Sequence, residues 1–158
     1  RDGDGIVLAS ATFSVSRQQD CWQLTIGGLQ GPRSNISHEV IKRATRACYG
    51  LFPKRLLMEF IWLMAARCGI QHIYGVSDNG HVFRALRYRL SKGRHFHASY
   101  DEFWQSIEGV ADSAWRWRLP LKLERKTLES IASKKRAEYR RRFQLLDDMA
   151  AQMTIIMD

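Results

Sequence analysis

The stretch "QHIYGVS", residues 71–77, is a short run of β-branched and aromatic residues closed by the turn-forming "DNG" of 78–80. Upstream, "CWQLTIGGLQG" at 21–31 has the same strand character, and the residues between the two carry helical periodicity. A strand, a helical crossover and a second strand make a right-handed parallel pair. The reading is therefore a mixed α/β (α+β) fold, with a partly parallel sheet packed by helices.

Working outward, "GIVLASATFSVS" at 5–16 reads as a strand joined to 21–31 by the polar "RQQD", so the chain should open with an antiparallel pair. "GGLQGP" at 27–32 packs three glycines and a proline into six residues, a place where a strand bends, bulges or lets something approach its backbone. In the crossover, Val40, Ile41, Ala44, Ala47 and Cys48 share one helical face, and Gly50 lies where a C-terminal cap belongs. A second helix starts at Pro53, with a stripe of Leu57, Phe60, Ile61, Met64, Ala65 and Cys68, and ends at Gly69. Its apolar content makes it the most buried helix expected.

Downstream, Ser99 and Glu102 form a capping box for "YDEFWQSI". Trp115, Trp117, Leu119, Leu121 and Leu123 alternate with polar residues and Pro120, a strand with one wet face that lies at an edge or ends in a bulge. A final amphipathic helix begins near Ser133 and carries Tyr139, Phe143, Leu146, Ala150 and Met153 on one face.

With 158 residues, 45% hydrophobic and 26% charged, the composition is that of one folded domain, 1–158, whose basic segment 125–158 follows a core of 1–124. The opening at Arg1 and Asp2 reads as the start of a C-terminal part of a longer chain. The longest apolar stretch, Leu56 to Ala66, contains Glu59 and is too short for a spanning helix of about 20 residues. Three widely spaced cysteines, Cys21, Cys48 and Cys68, suit a reducing compartment and include no C-x-x-C pair.

The net charge is +9, and between Arg125 and Arg142 eight basic residues face only Glu129 and Glu138. Lys134, Lys135, Arg136, Arg140, Arg141 and Arg142 are the candidates for binding an anionic partner. They spread around a helix, which suits diffuse attraction to a membrane surface better than sequence readout of nucleic acid. A solvated basic helix is the plain alternative.

The succession "TIGGLQG", "ATRACYGLFPKRLL", "YDEFW" and "SKKRAEYRRRFQLLD" resembles the VirK/YbjX family over nearly the whole chain. That resemblance implies a bacterial protein of envelope homeostasis, virulence and antimicrobial-peptide resistance. It also implies a location that is cytoplasmic, peripheral to the inner membrane.

The order of elements from Cys21 to Leu123 also resembles a GNAT-type acyltransferase core. This second resemblance implies that two parallel strands splay apart and that an acyl-CoA or acyl-carrier-protein donor pairs with the exposed strand. Gly27 and Gly28 would then be the bulge, and Gly50, Leu51, Phe52 and Lys54 the phosphate-binding turn, where a helix start favours an anion. That turn has a single glycine, and Pro53 removes one N–H donor.

Asp78, Asn79 and His81 fall where the second parallel strand ends, the edge at which open α/β sheets bind ligands. Turn preference alone also accounts for Asp-Asn-Gly. Tyr100 matches a tyrosine that protonates the leaving thiolate in many GNAT enzymes; packing beside Phe103 and Trp104 is the structural alternative. Asp78, His81 and Tyr100 are the catalytic candidates. His95 and His97 lack partners in sequence for a metal site, and none is predicted. Cys48 and Cys68 are read as core residues, and Trp115 and Trp117 as core rather than a base-stacking platform.

Overall fold

A two-residue turn sets up the sheet. Gln19 and Asp20 both take positive φ, 47° and 63°, as in the primed turns whose twist matches paired strands. The flanking runs form β1 (Ser10–Gln18) and β2 (Cys21–Gln30). β1 starts later than its sequence suggests, because Asp2 closes a turn over the first residues: its carboxylate accepts from the N–H groups of Asp4 and Ile6. The structure, a computed structural model, describes residues 1–80 and 99–157.

The further elements are α1 (His38–Ala47), α2 (Pro53–Arg67), β3 (His72–Val76), α3 (Tyr100–Ser106), β4 (Val110–Ala111), β5 (Arg116–Leu119) and α4 (Arg136–Met157). Two single turns of 3₁₀ helix, Leu128–Ser130 and Ser133–Lys135, lead into α4. They form two compact units. The sheet unit comprises Ala11–Leu29 and Gly69–Leu123; the helical unit comprises Arg1–Ser10, Gln30–Cys68 and Glu124–Asp158.

In the sheet unit the strand order is β1-β2-β3-β5-β4. β2 and β3 run parallel, from Gln23 opposite His72 to Ile26 opposite Gly75, as the strand–crossover–strand pattern predicts. β3 and β5 are antiparallel, as are β5 and the short β4. Leu24, Ile26, Ile73, Trp104, Ile107 and Leu119 are buried and form the core. Truncating a side chain as large as the fully buried Trp104 to alanine typically costs about 3–5 kcal/mol.

β5 departs from its sequence reading in two ways. It is an interior strand, with β4 beyond it, and it stops before Pro120, which has no N–H to give to a ladder. Trp115 is 64% exposed and Leu121 49% exposed, so within the strand Trp117 and Leu119 keep the inward alternation, and beyond it Leu123 is half-buried. The reason lies in the backbone. Asp112 and Ser113 turn back onto the Arg116 carbonyl, and Trp115, whose carbonyl still accepts from the Ser77 N–H, gives its own N–H to Ser113 Oγ, so the strand geometry ends there.

In the helical unit α2 packs against α4. Pro53 occupies the first turn of α2, and Gly50 and Gly69 both take positive φ at the predicted helix ends. The buried face of α2 is Met58, Ile61, Trp62 and Ala65, rotated from the predicted stripe, and Phe60 and Cys68 are exposed. A helix apolar on most sides offers several faces, and packing rather than composition selects one. Leu146 and Met153 of α4 are buried and Tyr139, Phe143 and Ala150 half-buried, so its predicted stripe holds.

Candidate functional site

The parallel ladder ends at Ile26 and Gly75, yet β2 continues to Gln30. Just past the last pair, Gly27 and Gly28 both lie against Thr12 of β1. Gly28 and Leu29 are both buried, which breaks the alternation kept by Leu24 and Ile26. The glycine-rich close of β2 is therefore a bend at which a side chain reaches the backbone.

That side chain is Tyr100. Its Oη accepts a hydrogen bond of 3.3 Å from the Leu29 N–H, and a Cβ on Gly28 would lie 3.9 Å from the same oxygen. The phenol ring is buried and stacks on Trp104 at 6.1 Å. Trp104 in turn gives its indole N–H to the Val76 carbonyl at 2.8 Å, tying α3 to the end of β3.

The start of α3 is fixed by hydrogen bonds to Asp78. Ser99 Oγ donates to Asp78 Oδ2 at 2.6 Å, and the Tyr100 N–H donates to Asp78 Oδ1 at 2.7 Å. The capping box read from the sequence is present on one side, with Ser99 Oγ accepting from the Glu102 N–H at 3.2 Å. In the other direction, the Asp78 N–H donates to Asp101 Oδ1 at 3.0 Å, and the same oxygen accepts from the Trp117 indole at 2.8 Å. Below this group, the Ser77 hydroxyl donates to the Ala114 carbonyl and accepts from the Gly80 N–H.

The structure thus brings Gly27, Gly28, Asp78 and Tyr100 together at the end of the parallel pair. Asn79 lies in the turn after Asp78. His81, His95 and His97 lie outside the described residues. Asp101 was not singled out by sequence reasoning. The available signal was an acid in the first turn of a capped helix, a position that favours negative charge.

Gly50, Leu51, Phe52 and Lys54 lie in the helical unit. Tyr49 and Gly50 take φ of 51° and 82°, and Arg142 of α4 reaches over them. Its Nε donates to the Tyr49 carbonyl at 2.8 Å, and a Cβ on Gly50 would meet Arg142 Nη2 at 2.6 Å and Glu138 Oε1 at 3.0 Å. Leu51 is buried and Phe52 exposed. Burial holds the Lys54 ammonium below the usual lysine range.

The six basic candidates divide. Arg136 turns inward and donates to the Leu128 and Ile131 carbonyls at 2.9 and 3.0 Å. Arg142 has a 15% exposed side chain, pairs with Glu138 at 3.3 Å and lies over the Tyr139 ring. Lys134, Lys135, Arg140 and Arg141 are exposed. Among the described residues no group of His, Cys, Asp and Glu could hold a metal ion, and no helix is long and apolar enough to cross a membrane.

A family model described as a protein of unknown function, DUF535, matches residues 1–154. The chain is 48% identical over 153 residues to the uncharacterized protein YbjX of Escherichia coli, covering 97% of this chain and 46% of that one. It is 38% identical over 128 residues to an uncharacterized protein of Haemophilus influenzae, covering 81% and 42%. A shorter match, 36% identical over 53 residues, covers 34% of this chain and 24% of a Mannheimia haemolytica protein named membrane protein LapB. The chain spans less than half the length of the curated relatives it matches. No solved structure matches it, so these comparisons give the likeness to GNAT enzymes no support.

Proposed function

The chain belongs to the DUF535 family, and from that premise we propose that its sheet unit binds an acyl donor and transfers the acyl group to a component of the cell envelope. One observation carries the reading: β2 runs past the end of its ladder with β3, through Gly27 and Gly28, to the hydroxyl of Tyr100. An extended amide chain, as in the donor arm of acyl-CoA or acyl-carrier protein, can pair with strand backbone that runs past its parallel partner among the described residues.

In this reading the acceptor's nucleophile adds to the thioester carbonyl and the carbon–sulfur bond breaks. The leaving thiolate takes the Tyr100 hydroxyl proton, which is replaced by the proton that the acceptor gives up. The role in envelope homeostasis, virulence and antimicrobial-peptide resistance comes from the family resemblance. It goes with a cytoplasmic protein working at the inner membrane surface. The test is acyl transfer from labelled acyl-CoA and acyl-carrier protein by the purified protein, with the melting temperature followed as donor is added. Transfer by the wild type that Tyr100→Phe loses supports the reading; neither transfer nor a thermal shift with either donor discards it.

A second reading is a binding module, favoured by the exposure of Lys134, Lys135, Arg140 and Arg141. These four side chains suit an anionic lipid surface. Co-sedimentation with vesicles containing anionic lipid tests it: charge reversal at all four should abolish binding, and binding that survives ends this reading. Nucleic acid competing for the same side chains would redirect it.

A further inference from the structure

Asp78 bridges the end of β3 to the first turn of α3 in both directions, as acceptor and as donor. Asp78 receives the Ser99 hydroxyl and the Tyr100 N–H on its two oxygens, while its own N–H goes to Asp101 Oδ1. That oxygen also holds the Trp117 indole of β5, so a single atom ties α3 to two neighbouring strands. Both carboxylates are thus engaged with donors at the start of α3, after β3 and on β5. Tyr100 is the first residue of a seven-residue helix, so a change in how that helix starts moves the phenol directly.

We infer that Asp78 and Asp101, linked by the Asp78 N–H, are a positioning pair that sets the Tyr100 hydroxyl against the Leu29 N–H. Asp101 thereby controls acyl transfer without touching donor or acceptor. The inference rests on the proposed role of Tyr100 for its effect on activity, and on geometry alone for its effect on position. Asp78, placed among the catalytic candidates by its location, acts in this account through the tyrosine. Removing the Asp101 carboxylate frees the Asp78 N–H and the Trp117 indole together, and a displacement of about 1 Å in a catalytic group can cost on the order of 100-fold in rate.

The test follows the Leu29 amide by ¹H–¹⁵N NMR in the whole protein, with Tyr100→Phe marking where that signal falls once the phenol hydroxyl is gone. Asp101→Ala should move the Leu29 amide toward the Tyr100→Phe position and lower kcat about 100-fold. Asp101→Asn, which keeps an oxygen acceptor, should restore both. A Leu29 amide unmoved in Asp101→Ala overturns the inference. If Asp101→Ala does not fold, Trp117→Phe, which removes one donor, decides the question by the same signal. Absence of acyl transfer in the wild type sinks the functional reading, whereas the amide signal judges the positioning pair independently.

Discussion

Gly75 lies directly beneath the indole of Trp104: a Cβ built on this glycine would come within 2.5 Å of the ring. The ring cannot retreat cheaply, because its N–H is bonded to the Val76 carbonyl and its face stacks on Tyr100. Gly75→Ala is therefore expected to destabilise the protein by about 1–3 kcal/mol, the usual range for overpacking a core. Thermal or urea denaturation measures it. A neutral substitution would mean that α3 stands further from β3 than described.

Tyr100→Phe keeps the ring and removes only the oxygen that accepts from Leu29. A buried N–H left without an acceptor costs about 1–3 kcal/mol. The variant should unfold at lower denaturant concentration with an unchanged m-value, because the surface exposed on unfolding is the same. Equal midpoints for variant and wild type would show that the Leu29 amide has another acceptor.

Neighbouring arginines on α4 should behave differently. Arg142→Ala removes the donor to the Tyr49 carbonyl and the contact over the left-handed turn at Gly50, with an expected loss of about 1–3 kcal/mol. Arg141→Ala, at an exposed position, should stay within about 0.5 kcal/mol. Denaturation of the two single variants decides it. A charge-reversal experiment on anion binding should leave Arg136 and Arg142 alone, since altering either perturbs the fold as well as the charge.

Cys68 is exposed, while burial pushes the Cys48 thiol up from its ordinary value. The thiolate is the reactive form, so at pH 8 an alkylating reagent should label Cys68 before Cys48. The Cys48 rate should go on increasing with pH above the ordinary thiol range, because burial raises its pKa. Mass spectrometry of timed digests checks the order, and equal rates would refute the burial of Cys48.

The elements legible in the sequence were those whose signals are local. Ser99 and Glu102 announced a helix start, Gly50 and Gly69 the helix ends, and two strand-like runs around a helical segment the parallel pair. Packing partners decided what was missed. Nothing in the run Leu56–Cys68 says which side of an apolar helix will be covered, so Phe60 was placed inward and Met58 overlooked. The alternation from Trp115 to Leu123 continues in the sequence beyond the residues that pair. β4, two residues long, has no periodicity to detect. At the site, the glycines and Tyr100 could be named from their neighbourhoods, but the role of Asp101 depends on Asp78 and Trp117, which only the folded chain brings beside it.

The hydrogen bond from Arg142 to the Tyr49 carbonyl joins residues 93 positions apart. Its consequence lies in the order of folding events. The turn between α1 and α2 emerges early in synthesis, but the group that secures its left-handed backbone arrives only with the last helix. Contacts of long sequence separation form slowly, because the loop must close before the bond can form. A nascent chain that stops short of Arg142 should therefore hold α1 and α2 with a turn secured only by its own backbone hydrogen bonds. In pulse-labelling hydrogen exchange during refolding, the Gly50 amide, which donates to the Thr45 carbonyl at 2.8 Å, should gain partial protection with α1 and its full protection only with α4.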